Sequence, residues 1–292
     1  MMRFQTLILL GLILLFGQAA KASSKPLVIY GKDDRHEVYE TGDPAHAILA
    51  ESIAAVVSTE DLDTSSTSAY ALLKGINYAE DNNLCKIERF VEQDAVASCT
   101  AFLVRDNIVA TAGHCADEPG FCTDAKFVFG FMKDRPDRNP NQVFRKDIYS
   151  CAHVLKEKFA AKGMDYALVE LDRPVKDRTP LKFAKRAPAI GRPVFVIGHP
   201  SGLPLKVTTG ATVRRHDQDF YVANLDSFEG NSGSPVFNEN YEVAGILIRG
   251  ESDFTQRGSC YVVNRCKDSE CAGEDITMPN LITQALAKIV SK

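Results

Sequence analysis

Short runs rich in β-branched and aromatic residues recur along this chain, with turn signals between them: VASCTAFLV, KFVFGF, YALVEL, PVFVIGH, KVTTGATV, DFYVANL, VAGILIRG and SCYVVNR. Such residues fit a pleated, half-buried surface, and runs this short at this spacing build an all-β barrel or sandwich rather than a parallel α/β sheet. Two segments carry a helical pattern instead. One is Ser68 to Lys74; the other is Pro279 to Lys292, where Leu281, Ile282, Ala285, Leu286 and Ile289 form an apolar face. Thr59 to Ser68 is polar and reads as a surface loop, and the proline-rich stretch Pro174 to Pro188 reads as a connector between two halves. With 292 residues, the chain can form one large domain or two small ones. The sequence shows no internal repeat.

The first residues are MMRFQTLILLGLILLFGQAAKAS. Arg3, the apolar run Leu7 to Phe16 and the small-x-small triplet Ala20-Lys21-Ala22 form a secretory signal peptide over residues 1–22. The run is too short and wrongly flanked for a stable membrane anchor, so a secreted or periplasmic protein cut near Ala22 is expected. Losing Arg3 and Lys21 takes the net charge from −4 to −6, which gives no reason to expect nucleic acid or an anionic membrane as partner. All eight cysteines follow the cut, and an even count in an oxidising compartment favours disulfides. Cys266 and Cys271 lack zinc-knuckle spacing, so neither a metal site nor a cofactor is expected. Oligomeric state is left open.

Three stretches carry candidate chemistry: IVATAGHCAD with His114 directly after an apolar run, GMDYALVEL with Asp165 before one, and GNSGSP with Ser232. Taken singly they are weak. A lone histidine is usually structural, an aspartate before a strand is commonplace, and a loop with two glycines can be only a tight turn.

In the order His, Asp, Ser, the three together resemble the chymotrypsin/trypsin-like serine proteases. The match is best to the branch that contains the bacterial glutamyl endopeptidases, which carries Gly-Asn-Ser-Gly-Ser-Pro around the serine. Thr111-Ala112-Gly113-His114-Cys115 matches the family's histidine motif, and Val28 to His36 is similar to the start of a mature chain in that branch. The resemblance covers most of the chain from about Val28. It implies two six-stranded antiparallel β-barrels with a C-terminal helix: an N-terminal barrel over about 23–178, a C-terminal barrel over about 179–292, and a protein or peptide substrate bound between them. It also implies the roles. A serine hydroxyl needs a base within hydrogen-bond reach, and His114, with an imidazole that titrates near neutrality, supplies it. Asp165 would fix the imidazole tautomer, while the backbone N–H groups of Gly230 and Ser232 would face the developing oxyanion. The resemblance pairs Cys99 with Cys115, a bridge worth about 3 kcal/mol in the chain-entropy account. Cys122 with Cys151 is suggested by proximity; Cys85, Cys260, Cys266 and Cys271 stay unassigned.

Specificity has two readings. Asp226, six residues before Ser232, stands where the trypsin branch keeps an aspartate that binds Lys or Arg on the acyl side of the scissile bond, and Ser227 and Gly250 fall with it as substrate-binding positions. Glutamate-specific relatives use a histidine at the position aligned with Leu247, which cannot hydrogen-bond a carboxylate. The competing reading makes Asp226 structural, paired with Arg249. Asn231 leaves no aspartate to receive a new N-terminus, so activation by that route is not expected. His36, His46, His153 and His216 read as surface residues, and His199 as the end of a strand. Against a secreted endopeptidase stand a catalytically silent homologue that only binds, an esterase, and a protease of glutamyl or narrow specificity.

Overall fold

A computed structural model describes residues 29–250, 252–267 and 271–290; the expected signal peptide lies outside them. Six of the strands close a first barrel: β1 (Ile53–Val57), β2 (Cys99–Arg105), β3 (Ile108–Thr111), β4 (Lys126–Phe129), β5 (Ile148–Phe159) and β6 (Asp165–Leu171). Six more close a second: β7 (Pro193–Gly198), β8 (Lys206–His216), β9 (Phe220–Ala223), β10 (Pro235–Phe237), β11 (Val243–Arg249) and β12 (Glu274–Thr277). Around the first barrel the order is β1-β2-β3-β6-β5-β4, and around the second β7-β8-β9-β12-β11-β10, every pairing antiparallel. The second barrel thus repeats the topology of the first, although the sequence carries no visible repeat.

Alternation along each strand makes two cores at once. Ala101, Leu103, Val109, Ala167 and Val169 fill the first barrel. Their neighbours Phe102, Val104, Ala110, Tyr166 and Leu168 face the other way, onto Ile197, Val207, Ile246 and Ile248 of the second barrel. Val194, Val196, Val213, Tyr221 and Leu247 fill the second barrel's own interior. Buried on both faces, these strands read as continuous apolar runs. The C-terminal helix Pro279–Val290 turns Ile282, Ala285 and Leu286 into the core between barrels. The connector touches both: Leu181 N–H donates to Leu103 and Ala184 N–H to Val243.

Some expectations need correction. Ser68 to Lys74 is not helical: Tyr70–Leu73 is a strand between Leu62–Asp63 and Gln142–Phe144, with Ala71 and Leu73 buried. Seven residues are too few to sustain a helix alone, and two strand partners decide the conformation. His46 is buried, its ring 4.9 Å from that of Phe195, in a niche the sequence gives no hint of. All eight cysteines are bridged: Cys99–Cys115 and Cys122–Cys151 as expected, and Cys85–Cys260 and Cys266–Cys271 among those left open. Among the described residues no helix is long and apolar enough to cross a membrane.

Candidate active site

The three candidate residues come from loops and strand ends where the barrels meet. His114 follows β3, Asp165 opens β6, and Ser232 lies between β9 and β10. Asp165 is fully buried. Its Oδ1 accepts the N–H groups of Gly113 (2.6 Å) and His114 (3.1 Å), and its Oδ2 lies 2.8 Å from His114 Nδ1. That contact selects the Nδ1–H tautomer and leaves Nε2 as the acceptor. Gly113 packs against the Lys158 carbonyl too closely for any Cβ, which explains the glycine before the histidine. Thr277 holds Asp165 from the second barrel, its hydroxyl donating to the Asp165 carbonyl at 2.8 Å. Among the described residues no hydrogen bond joins the Ser232 hydroxyl to His114; such contacts often tighten only when substrate binds.

The serine loop is fixed by its carbonyls. Thr100 N–H donates to the Ser232 carbonyl (2.8 Å) and Thr100 Oγ1 to the Gly230 carbonyl (2.9 Å). Ser201 N–H donates to the Glu229 carbonyl, and Ser234 N–H to that of Asn231. In a trans peptide the carbonyl and the following N–H point opposite ways, so pinning Glu229 and Asn231 aims the N–H groups of Gly230 and Ser232 outward. Neither N–H donates to another protein group among the described residues. Gly230 has φ +85° and Gly233 φ +90°, a region that disfavours any side chain. Cys99–Cys115 ties β2 to the residue after His114, with the Cys115 sulfur 3.8 Å from the Ser232 carbonyl. The Cys99, Cys115 and His114 ligand atoms cluster within 4.8 Å, yet bridged sulfurs offer no thiolate to a metal.

A cleft of about 690 Å³ opens beside Ser232, bordered by Ser227, Gly230, Leu247, Gly250 and Glu274. Asp226 does not border it. Its Oδ1 accepts Tyr30 N–H at 2.7 Å and its Oδ2 accepts Asp34 N–H at 2.9 Å, beneath the segment that leads into the second barrel. Burial pushes its carboxyl up to about 7 against those two donors. The structural reading of Asp226 thus has its support in Tyr30 and Asp34 rather than in the expected partner Arg249. Arg249 Nε donates to Asp275 at 3.1 Å, and its Nη atoms face the carbonyls of Ala160 and Gly163. Leu247 is buried at the cleft wall, as an apolar residue there should be. Of the other histidines, His36 lies half-buried in the short strand Arg35–Glu37, His153 and His216 are exposed, and His199 is buried. Nothing in the sequence marks Thr100, an ordinary strand-forming residue. Nor did it single out Glu274, one acid among many in a chain tail.

A family profile described as trypsin-like peptidase domain matches residues 99–246, half of the chain. The glutamyl endopeptidase of Bacillus licheniformis is 24% identical over 158 residues, which is 50% of this chain and 47% of that protein. The match thus spans about half the length of that relative. Among solved structures, the active form of the Rv3671c protease from M. tuberculosis superposes with a TM-score of 0.52 at 16% identity, over 91% of this chain and 92% of that one. A Glu endopeptidase in complex with MPD gives 0.56 at 14%, over 91% and 100%, and human heparin binding protein 0.53 at 13%, over 89% and 97%. At these identities the superpositions establish the two-barrel fold.

Proposed function

We propose, from the premise that the chain belongs to the trypsin-like peptidase family, that it is an exported serine endopeptidase with His114, Asp165 and Ser232 as its triad. The observation that carries this reading is the 2.8 Å contact of His114 Nδ1 with the buried Asp165, at the edge of the loop that holds Ser232. In the forward step Ser232 Oγ bonds to the substrate carbonyl carbon as its proton passes to His114 Nε2, and Asp165 stabilises the imidazolium. The N–H groups of Gly230 and Ser232 receive the oxyanion. As the tetrahedral intermediate collapses, the C–N bond breaks and His114 returns the proton to the leaving amine. Water then attacks the acyl-enzyme by the same proton relay. Ser227 and Gly250 would line the path of the acyl-side residue.

Lys or Arg is the preferred residue there. The support is the acidic border of the cleft, where Asp81, Glu229, Asp253 and Glu274 stand with one arginine, Arg249, and Asp226 does not. The relatives named as glutamyl endopeptidases act on another side chain by name, but four acids against Arg249, with Leu247 in the wall, disfavour glutamate in this cleft. Signal-peptide removal near Ala22, barrels over about 23–178 and 179–292, and a secreted or periplasmic location complete the reading; four disulfides suit an oxidising compartment.

The test is labelling with an uncharged fluorophosphonate, followed by peptide mapping. Label on Ser232, with hydrolysis of a peptide library lost in Ser232→Ala, is the expected result. A wild-type protein that takes no label and cuts no peptide would instead be a binding homologue.

A further inference from the structure

Asp165 is met from the second barrel as well as from its own. Arg249, the last residue of β11, brings Nη1 to 3.9 Å from Asp165 Oδ2, the oxygen that also faces His114 Nδ1. The same guanidinium spans the turn between β5 and β6. Its Nη1 donates to the Ala160 carbonyl and its Nη2 to the Gly163 carbonyl, each at 3.3 Å. That turn is closed on itself: Ala160 N–H donates to the Met164 carbonyl at 2.9 Å, and Gly163 N–H to that of Ala160 at 3.0 Å. Asp165 follows directly, as the first residue of β6. Whatever holds the turn therefore holds the carboxylate.

Arg249 is itself anchored. On the neighbouring strand β12, Asp275 stands opposite it and accepts Nε at 3.1 Å. The guanidinium carbon lies 5.3 Å from the centre of the Phe220 ring on β9. Neighbouring strands of the second barrel thus fix one planar fork, a geometry that a lysine ammonium does not reproduce. Thr277, two residues beyond Asp275, completes the grip through the Asp165 carbonyl. Charge points the same way. A fully buried carboxylate is costly without a counter-charge, and His114 in its Nδ1–H tautomer is neutral.

Given the triad proposed above, on which this role rests, we propose that Arg249 is a positioning residue. It locks the turn that carries Asp165 to the barrel that carries Ser232, so that the base, its orienting acid and the nucleophile stay in register. Arg249 also borders the cleft beside Ser232, and a second hollow of about 560 Å³ that it shares with Lys162, Arg215 and Asp217. A residue placed there could read a substrate side chain instead. Its Nε and both Nη atoms already have protein partners, so the clamp is the role its contacts support.

The test compares wild type with Arg249→Met, Arg249→Lys and Asp275→Asn. It reads kcat, KM and the labelling rate with a small uncharged fluorophosphonate, which offers no side chain to a subsite. Arg249→Met should lower kcat and the labelling rate by at least about tenfold, with KM within about threefold of wild type. Arg249→Lys should stay within about threefold of Arg249→Met, since one ammonium cannot span two carbonyls and Asp275. Asp275→Asn, which only loosens the anchor, should lose about threefold in both kcat and labelling rate. In an Asp165→Asn background Arg249→Met should cost less than about threefold, because the group it acts through is already disabled.

The proposal is overturned if the loss in Arg249→Met falls on KM while labelling keeps its wild-type rate, which would make Arg249 a substrate-binding residue. It is equally overturned if the losses multiply in the double variant, or if Arg249→Lys restores wild-type kcat. Should Arg249→Met not fold, Asp275→Asn decides, and wild-type kcat and labelling there would sink the clamp. A wild-type protein that takes no label at all sinks the triad reading itself, a distinguishable result.

Discussion

Thr100, on a strand of the first barrel, donates its hydroxyl to the carbonyl of Gly230, in the serine loop of the second, at 2.9 Å. Its own N–H donates to the Ser232 carbonyl, and Thr111 Oγ1 in turn donates to the Thr100 carbonyl at 2.7 Å. One residue therefore registers the loop that carries the proposed nucleophile and anion site against the barrel that carries the proposed base.

Removing that hydroxyl with Thr100→Val keeps the shape and the backbone contact but frees the Gly230 carbonyl. Preorganised N–H donors act only where they are held, so kcat should fall by about ten- to a hundredfold with KM changed little. Thr100→Ser, which keeps the hydroxyl, should restore most of the loss. Steady-state kinetics on both variants decide it. Equal losses in the two would assign Thr100 to packing alone.

Asp165→Asn leaves the carbonyl oxygen able to accept the Gly113 and His114 N–H groups but removes the charge that selects the Nδ1–H tautomer. By analogy with other triads, kcat should drop about 10⁴-fold with the fold retained. Peptide hydrolysis alongside circular dichroism checks both halves of the claim.

Much of this was legible in the sequence, and the reason is local. His114, Asp165 and Ser232 sit in short segments whose backbone needs are written in adjacent residues: Gly113 against the Lys158 carbonyl, Gly230 and Gly233 at positive φ. The strands read as continuous apolar runs because each is buried on both faces. What stayed hidden depends on partners distant in the chain. Asp226 has the spacing of a substrate-binding aspartate, yet its role is decided by Tyr30 and Asp34, almost two hundred residues away. Cys85 meets Cys260 across a separation of 175 residues, a pairing no spacing rule selects. Tyr70–Leu73 became a strand because Gln142–Phe144 pairs with it.

The bridges should differ in worth. Cys85–Cys260 closes a separation of 175 residues and Cys266–Cys271 one of 5. Loop-closure entropy gives about 5 kcal/mol for the first and about 2 kcal/mol for the second. Replacing each pair by serines should therefore lower the urea midpoint far more for the long bridge. Equal shifts would place the stabilisation in native packing instead.

The proposed export fixes a mass. Secreted material should begin at Ser23, or a few residues later if trimmed, and four bridges remove eight hydrogens from the reduced chain. Intact-mass measurement before and after reduction tests start and bridges together. A chain that retains Met1 would contradict the export reading.

His199 should make the protein sensitive to acid. Its ring is buried, 5.5 Å from that of Phe131, with Nδ1 2.9 Å from the Leu203 carbonyl, and its backbone N–H donates to Thr100 Oγ1. Nδ1 therefore carries the proton and donates, while burial, aided by nearby Lys206, lowers the imidazole from 6.5 to about 3. Between those two values the unfolded chain binds a proton that the folded protein does not, so stability rises with pH through the window and is lost as pH falls from about 6.5 toward 3. Above about 6.5 the residue adds no pH dependence. Asp226 and Asp253, both pushed up to about 7 by burial, act in the opposite sense, favouring the folded state as pH falls from about 7 toward 4. Comparison with His199→Gln cancels their contribution, because both proteins carry them. The variant should be less stable than wild type by about 1 kcal/mol at neutral pH, from the altered hydrogen bond and stacking. Its urea midpoint should then fall less steeply on acidification, so that the two curves cross near about pH 6 and the variant is the more stable at lower pH. Parallel curves across that range would mean that His199 takes up its proton in the folded state, and that the buried ring is not what limits the protein in acid.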